Sequence, residues 1–269
     1  MNTKLLLGIM LALFCLSMIS HVSAAPVGPT TLTNISETTW DVYDALTNDA
    51  LAGNITQLDF TGSSVTRSYQ GYIGNISGYI VLGNANNQTL YDWSIAEPQG
   101  EIYAVRSSTV PSWTSVACAS TQEMLDENVR LNINVTTDED AINNTFVVGG
   151  APDQVARFPG SDFNHTQFYT ANQSMARNAC PVATLYNSSE MPSSYFKEVL
   201  LSDKINNDSV TGFVIYTGIL AQSSLPGVTA DGYDGRTYDF QMIVGEDGHG
   251  ADTGPTATQS TYYFYLELE

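Results

Sequence analysis

Short runs rich in Val, Ile, Tyr, Phe and Thr recur between clusters of Gly, Asn, Pro and Ser, and this punctuation restricts the fold more than any other feature of the chain. Runs of that kind read as strands separated by turns. They fall at 55–60, 65–73, 78–82, 89–93 and 101–106, and again at 145–148, 196–201, 212–220, 237–244 and 262–268. The last alternates cleanly, with Phe264, Leu266 and Leu268 on one face and Tyr263, Tyr265 and Glu267 on the other, so it predicts a strand within a sheet. Residues 67–93 read as a meander, with Gly74-Asn75 and residues 84–87 supplying its turns. Helix signals are sparse. Ser120 followed three residues later by Glu123 forms a capping-box pattern and predicts a short helix over 121–128. Trp40, Tyr43 and Leu46 suggest a second over 37–46. The expected fold is all-β: a β-sandwich, jelly-roll or immunoglobulin-like, with at most one or two short helices. Residues 25–269 are expected to form one domain, with a loop-rich excursion near 107–195.

Charge then narrows the partners. Nine Lys and Arg face 28 Asp and Glu, giving a formal net charge of -19. Charged residues are only 14% of the chain, so the imbalance comes from scarce bases rather than from a dense acidic shell. A surface of that sign repels nucleic acid and bare anionic membranes. With 43% hydrophobic and 10% aromatic residues, the chain has enough apolar material for a packed core, which excludes a disordered polymer.

The address is legible at the N-terminus. Lys4 precedes an almost wholly apolar stretch over 5–19, and Val22-Ser23-Ala24 offers small residues where a signal peptidase reads. Residues 1–24 therefore read as a signal peptide, and no transmembrane anchor is expected after its removal. Cys15 leaves with the signal, and Cys118 and Cys180 remain as an even pair, the pattern of a disulfide in an exported chain. Ten Asn-x-Ser/Thr sequons begin at Asn34, Asn54, Asn75, Asn87, Asn134, Asn143, Asn164, Asn172, Asn187 and Asn207. Composition alone would give roughly four. The excess points to a glycan-coated surface, in keeping with an extracellular protein that stays soluble with few bases.

Catalytic signatures are scarce by comparison. The chain holds no nucleophile elbow, His-Glu-x-x-His, phosphate loop or dinucleotide fingerprint. His165, inside a sequon, and His249 are the only histidines beyond the signal, and each reads as a loop residue. Oxygen ligands crowd a Gly-rich loop at 246–253, so Glu246, Asp247 and Asp252 are candidate calcium ligands. Asp231, Asp234 and Asp239 lie upstream, and Asp138-Glu139-Asp140 is a second acidic run. Turns between strands favour the same residues, so the spacing alone does not select calcium. No other cofactor is expected.

Several runs carry a resemblance: 68–78 (SYQGYIGNISG), 89–93 (TLYDW), 239–244 (DFQMIV), the 246–253 loop and 262–265 (YYFY). Together they resemble a group of exported β-rich archaeal proteins that carries no assigned activity. The resemblance implies placement at the cell surface and transfers no catalytic residue. The leading expectation is thus a non-enzymatic structural glycoprotein of the cell exterior, a subunit of a surface layer, sheath or extracellular filament. It would assemble with itself or with other surface proteins. The 15 Tyr and three Trp (Trp40, Trp93 and Trp113) keep open an adhesion or carbohydrate-binding module, and paired carboxylates keep open an exported hydrolase. Protein isolated from its native cells is expected to begin at Ala25; N-terminal sequencing checks this, and retention of residues 1–24 would contradict it.

Overall fold

A computed structural model of the chain describes residues 25–39, 45–63, 65–95, 98–110, 112–148, 163–204, 214–220, 230–246 and 260–268. The signal segment 1–24 lies outside the described residues, as do residues 40–44 of the expected second helix. The flanking residues 37–39 and 45–46 are not helical.

The protein is all-β with few short helices. Seven strands form the main sheet: β4 (Gly100–Val105), β5 (Ala117–Cys118), β6 (Phe146–Val148), β9 (Pro181–Ala183), β10 (Lys197–Ser202), β11 (Val214–Ile219) and β13 (Tyr263–Leu268). Their order is β13-β4-β11-β10-β9-β6, with β5 also on β10, and every pairing is antiparallel. Three two-stranded ribbons accompany it: β1 (Tyr69–Gly74) with β12 (Phe240–Gly245), β2 (Gly78–Gly83) with β3 (Thr89–Ile95), and β7 (Phe168–Thr170) with β8 (Gln173–Met175). The helices are α1 (Thr121–Arg130) and the single turn α2 (Ile142–Thr145).

Both faces of the main sheet are buried. Ile102, Ala104, Leu200, Tyr216 and Phe146 point to one side, where Met242 and Val244 of β12 and Met124 of α1 pack on them. Tyr103, Val105, Val199, Leu201 and Ile215 point to the other, under Val110, Val116, Phe163, Phe168 and Met175. This explains why β10 and β11 read as continuous apolar runs rather than alternating ones, since neither face meets water. Helix α1 starts where the sequence signals it. The Ser120 hydroxyl accepts from the Glu123 backbone N–H at 3.3 Å, and the Glu123 carboxylate accepts from the Ser120 N–H at 2.6 Å. Buried Asn128 then accepts from the Ile142 N–H at 2.8 Å and donates to Asn143 at 2.7 Å, tying α1 to α2.

Two expectations are corrected. The meander over 67–93 divides after β1, which pairs with β12 instead of β2. Tyr69 and Tyr72 pack on the core, while the Ile76 N–H donates to Asp239 and the Asp239 N–H to Gly74 O, so tertiary contacts capture this strand. The run at 55–60 forms no strand in this chain. Residues 107–195 hold many loops, yet they also supply β5, β6 and β9 to the main sheet.

The disulfide sits within that middle region. β9 pairs with Glu198 and Val199 of β10, and β5 with Leu201 and Ser202, so two short strands share one edge of β10 end to end. Cys118 closes β5, Cys180 immediately precedes β9, and the two are bonded with Cα atoms 4.7 Å apart. The link therefore splices two half-strands into one functional edge. Replacing both with Ser is expected to lower the unfolding free energy by up to about 4 kcal/mol, given a separation of 62 residues. It should also make residues 163–180 protease-sensitive; a denaturant midpoint equal to wild type would show that the cross-link contributes nothing.

Candidate functional site

Among the described strands, the β2–β3 ribbon is the most exposed. Its strands pair with each other in the register Ile80↔Trp93 and Leu82↔Tyr91, with Tyr79↔Ser94 and Val81↔Asp92 between. Directly paired residues share a face, so Ile80, Leu82, Tyr91 and Trp93 form one wholly apolar side. Tyr79 and Val81 lie on the opposite side, beside Ser94 and Asp92. Trp93 is 63% exposed and Leu90 83%, and neither strand of the ribbon contains a buried residue. The turn is well defined: Asn84 accepts from the Asn86 and Gln88 N–H groups and donates to the Gln88 side chain, with Asn87 at φ 59. An isolated two-stranded ribbon is only marginally stable in water, and an apolar patch standing in solvent is characteristic of a contact surface.

The sequons are distributed around this feature. Asn75 lies between β1 and β2, Asn87 lies in the ribbon's turn, and Asn54 precedes the extended segment 55–60. Asn34, Asn54, Asn75, Asn87, Asn134, Asn164 and Asn172 are exposed, whereas Asn143 and Asn187 are half-buried with their side-chain oxygens engaged. Asn207 lies outside the described residues.

The calcium candidate is only partly described. Glu246 accepts from the Ser260 N–H at 3.0 Å, while Asp247, His249 and Asp252 lie outside the described residues. Asp239 is committed to Ile76, and Asp234 accepts from the Arg236 N–H and the Tyr238 hydroxyl. In the second acidic run, Asp138 accepts from the Asn134 N–H and Asp140 from the Thr66 hydroxyl. Among the described residues, no three His, Cys, Asp or Glu side chains converge as a metal site requires.

His165 is buried, with Nδ1 2.6 Å from the Thr166 carbonyl and Nε2 accepting from the Cys180 N–H at 3.0 Å. Burial pushes its pKa down, against the opposing pull of the Thr166 carbonyl. Both ring nitrogens are occupied in holding the disulfide's base, which leaves no free atom for general base work. Trp113 is likewise structural, its half-buried ring tilted against Tyr103 and edge-on to Tyr265.

Sequence reasoning did not single out the buried carboxylates. Glu267 lies opposite Glu101 across β13 and β4; it accepts from the Tyr103 hydroxyl at 2.8 Å and from the Ala171 N–H at 3.0 Å. Burial, then the nearby Glu101 and Glu267, raise the Tyr103 pKa far above the phenol range. Glu127 of α1 pairs with Arg106 at 2.7 Å and accepts from Tyr216 at 3.3 Å. Glu198 of β10 accepts from the Ile243 N–H at 2.9 Å through Oε2, while Oε1 has no partner among the described residues. Burial drives its pKa well above the carboxylate range, only partly opposed by that N–H. These groups join strands to one another, as buried polar groups with good partners do.

For Glu198 the linkage has a definite sign. The folded state holds a proton that the unfolded chain releases above about pH 4.3, so the stabilisation is complete below that value and declines as pH rises through the folded pKa. Glu198→Gln, which copies the protonated form, is expected to exceed wild-type stability at pH 7 by about 1–2 kcal/mol. Thermal melts should show the gap closing near pH 4; a gap independent of pH would refute the assignment. Compared with protein-family models, curated proteins and solved structures, the chain finds no match in any of the three.

Proposed function

We propose that the chain is a non-enzymatic structural glycoprotein of the cell exterior, a subunit of a surface layer, sheath or extracellular filament. The observation that carries this reading is the β2–β3 ribbon, whose apolar side chains stand in solvent on both faces. The exposed sequons support it further, because Asn75 and Asn87 border the ribbon without falling on its strands. Glycans there would shield the surroundings and leave the apolar faces open for protein contact. The buried carboxylates point the same way, since Glu127 and Glu267 direct their oxygens to neighbouring elements, and Glu198 does so through Oε2.

One observation favours a second reading, an adhesion or carbohydrate-binding module. Tyr91 and Trp93 lie on the same exposed face of the ribbon, an arrangement on which a sugar ring could stack. The two readings separate in one experiment. A structural subunit should form concentration-dependent assemblies visible by sedimentation and electron microscopy, and Ile80→Lys with Trp93→Lys should abolish them without lowering the melting temperature. Monodisperse wild-type protein at every concentration would contradict the structural reading, and glycan-array binding lost in Trp93→Ala would establish the module.

A further inference from the structure

Resting on the reading of the chain as a self-assembling subunit, we infer that the extended segment 55–60 of one copy adds as a third strand to the β2–β3 ribbon of the next copy. Three observations carry it. First, residues 55–60 (ITQLDF) have the composition of a strand, yet among the described residues they pair with nothing and lie exposed, Phe60 at 87%. A strand former in open solvent leaves its apolar side chains exposed and its backbone groups bonded only to water, free to exchange it for a strand partner.

Second, the ribbon offers the complementary lack. Among the described residues β2 and β3 are bonded only to each other, so each presents an edge of N–H and C=O groups with no strand beside it. Three strands with an apolar face are stable where two are marginal. The pattern also matches in its larger part: in an extended segment Thr56, Leu58 and Phe60 share one side, and Ile55, Gln57 and Asp59 the other, a mixed side like the ribbon's reverse. The ribbon is wholly apolar on the side of Ile80, Leu82, Tyr91 and Trp93, whereas its reverse mixes Tyr79 and Val81 with Ser94 and Asp92. Aligned this way, a continuous apolar face forms across three strands.

Third, the sequons bracket the pairing without interrupting it. Asn54 closes a turn in which its N–H donates to Leu51 O, immediately before the segment, while Asn75 and Asn87 mark the ribbon's base and tip. Glycans at these three positions would flank the added strand rather than block it. Because the donor segment and the acceptor ribbon are different surfaces, the contact is heterologous. Repetition of such a contact gives an open filament where the rotation between copies does not close, and a ring where it does.

Complementation tests this with unglycosylated chain starting at Ala25. One variant carries Ile80→Lys and Trp93→Lys and keeps its segment; the other carries Leu58→Asp and Phe60→Asp and keeps its ribbon. All four positions are solvent-exposed, and unchanged melting temperatures confirm folding. Each variant alone is expected to be monomeric by analytical ultracentrifugation while wild type assembles. Their mixture should form a 1:1 heterodimer and nothing longer, since only one intact segment meets one intact ribbon. Assembly by the segment variant alone would overturn the inference while leaving self-assembly standing. Two monomeric variants that form no heterodimer would also overturn it. Failure of wild type itself to assemble would remove the underlying reading along with it.

Discussion

The seven-stranded sheet is buried on both faces, and the rest of the chain is arranged around that constraint. A sheet covered on one side can place a polar residue outward at every second position. Here β10 and β11 have no outward side, so each polar group on them must find a protein partner or remain neutral. One cover is the β1–β12 ribbon with helix α1; the other is built from loops and the small β7–β8 hairpin. The edge-sharing of β5 and β9 along β10, closed by the disulfide, completes the sheet where no single strand reaches far enough.

Buried carboxylates then become structural connectors between layers. Glu198 reaches from the sheet to the backbone of β12, and Glu127 reaches from α1 to Arg106 and Tyr216. Glu267 has the most specific task. Ala171 and Asn172 form the β7–β8 turn with φ of 45 and 70, and Ala171 is a residue that ordinarily avoids this region. The Glu267 carboxylate, anchored by Tyr103, accepts the Ala171 N–H and so fastens this turn to the sheet. A charge on the last strand thereby fixes the conformation of a loop nearly a hundred residues earlier.

Much of the fold was legible in local sequence, and the failures have physical causes. The capping box at Ser120 and Glu123 depends only on neighbouring residues, and α1 starts where it signals. The alternation of 262–268 depends on one sheet, and β13 follows it, with Tyr265 half-buried and Tyr263 exposed on its second face. Strand partners are a different matter. Nothing within 67–93 tells β1 to leave the ribbon that follows it, because the contacts that decide this come from Asp239 and the core. β7, β8 and β9 are three residues each, too short for a periodicity to register, and a turn built on Ala171 carries none of the usual Gly signal. Of the site, the aromatic sequence of the ribbon was visible, but that it stands in solvent while Trp113 is half-buried required the fold. The buried carboxylates look like any other acids in one dimension.

The strand order has a consequence for how the molecule comes to be. β13 lies against β4, and β12 against β1, so residues from the two ends of the folded region are neighbours. Closing such separations is entropically slow, and the main sheet has few local pairings besides β10 with β11. A chain emerging from its N-terminus can form the β2–β3 ribbon and α1 early. It cannot finish the sheet until residues 263–268 arrive, and until then the edge of β4 lies open together with Tyr103 and Ile102. A chain lacking β13 would leave that edge of β4 without its strand partner, with the backbone groups between Gly100 and Val105 open to pairing with another chain.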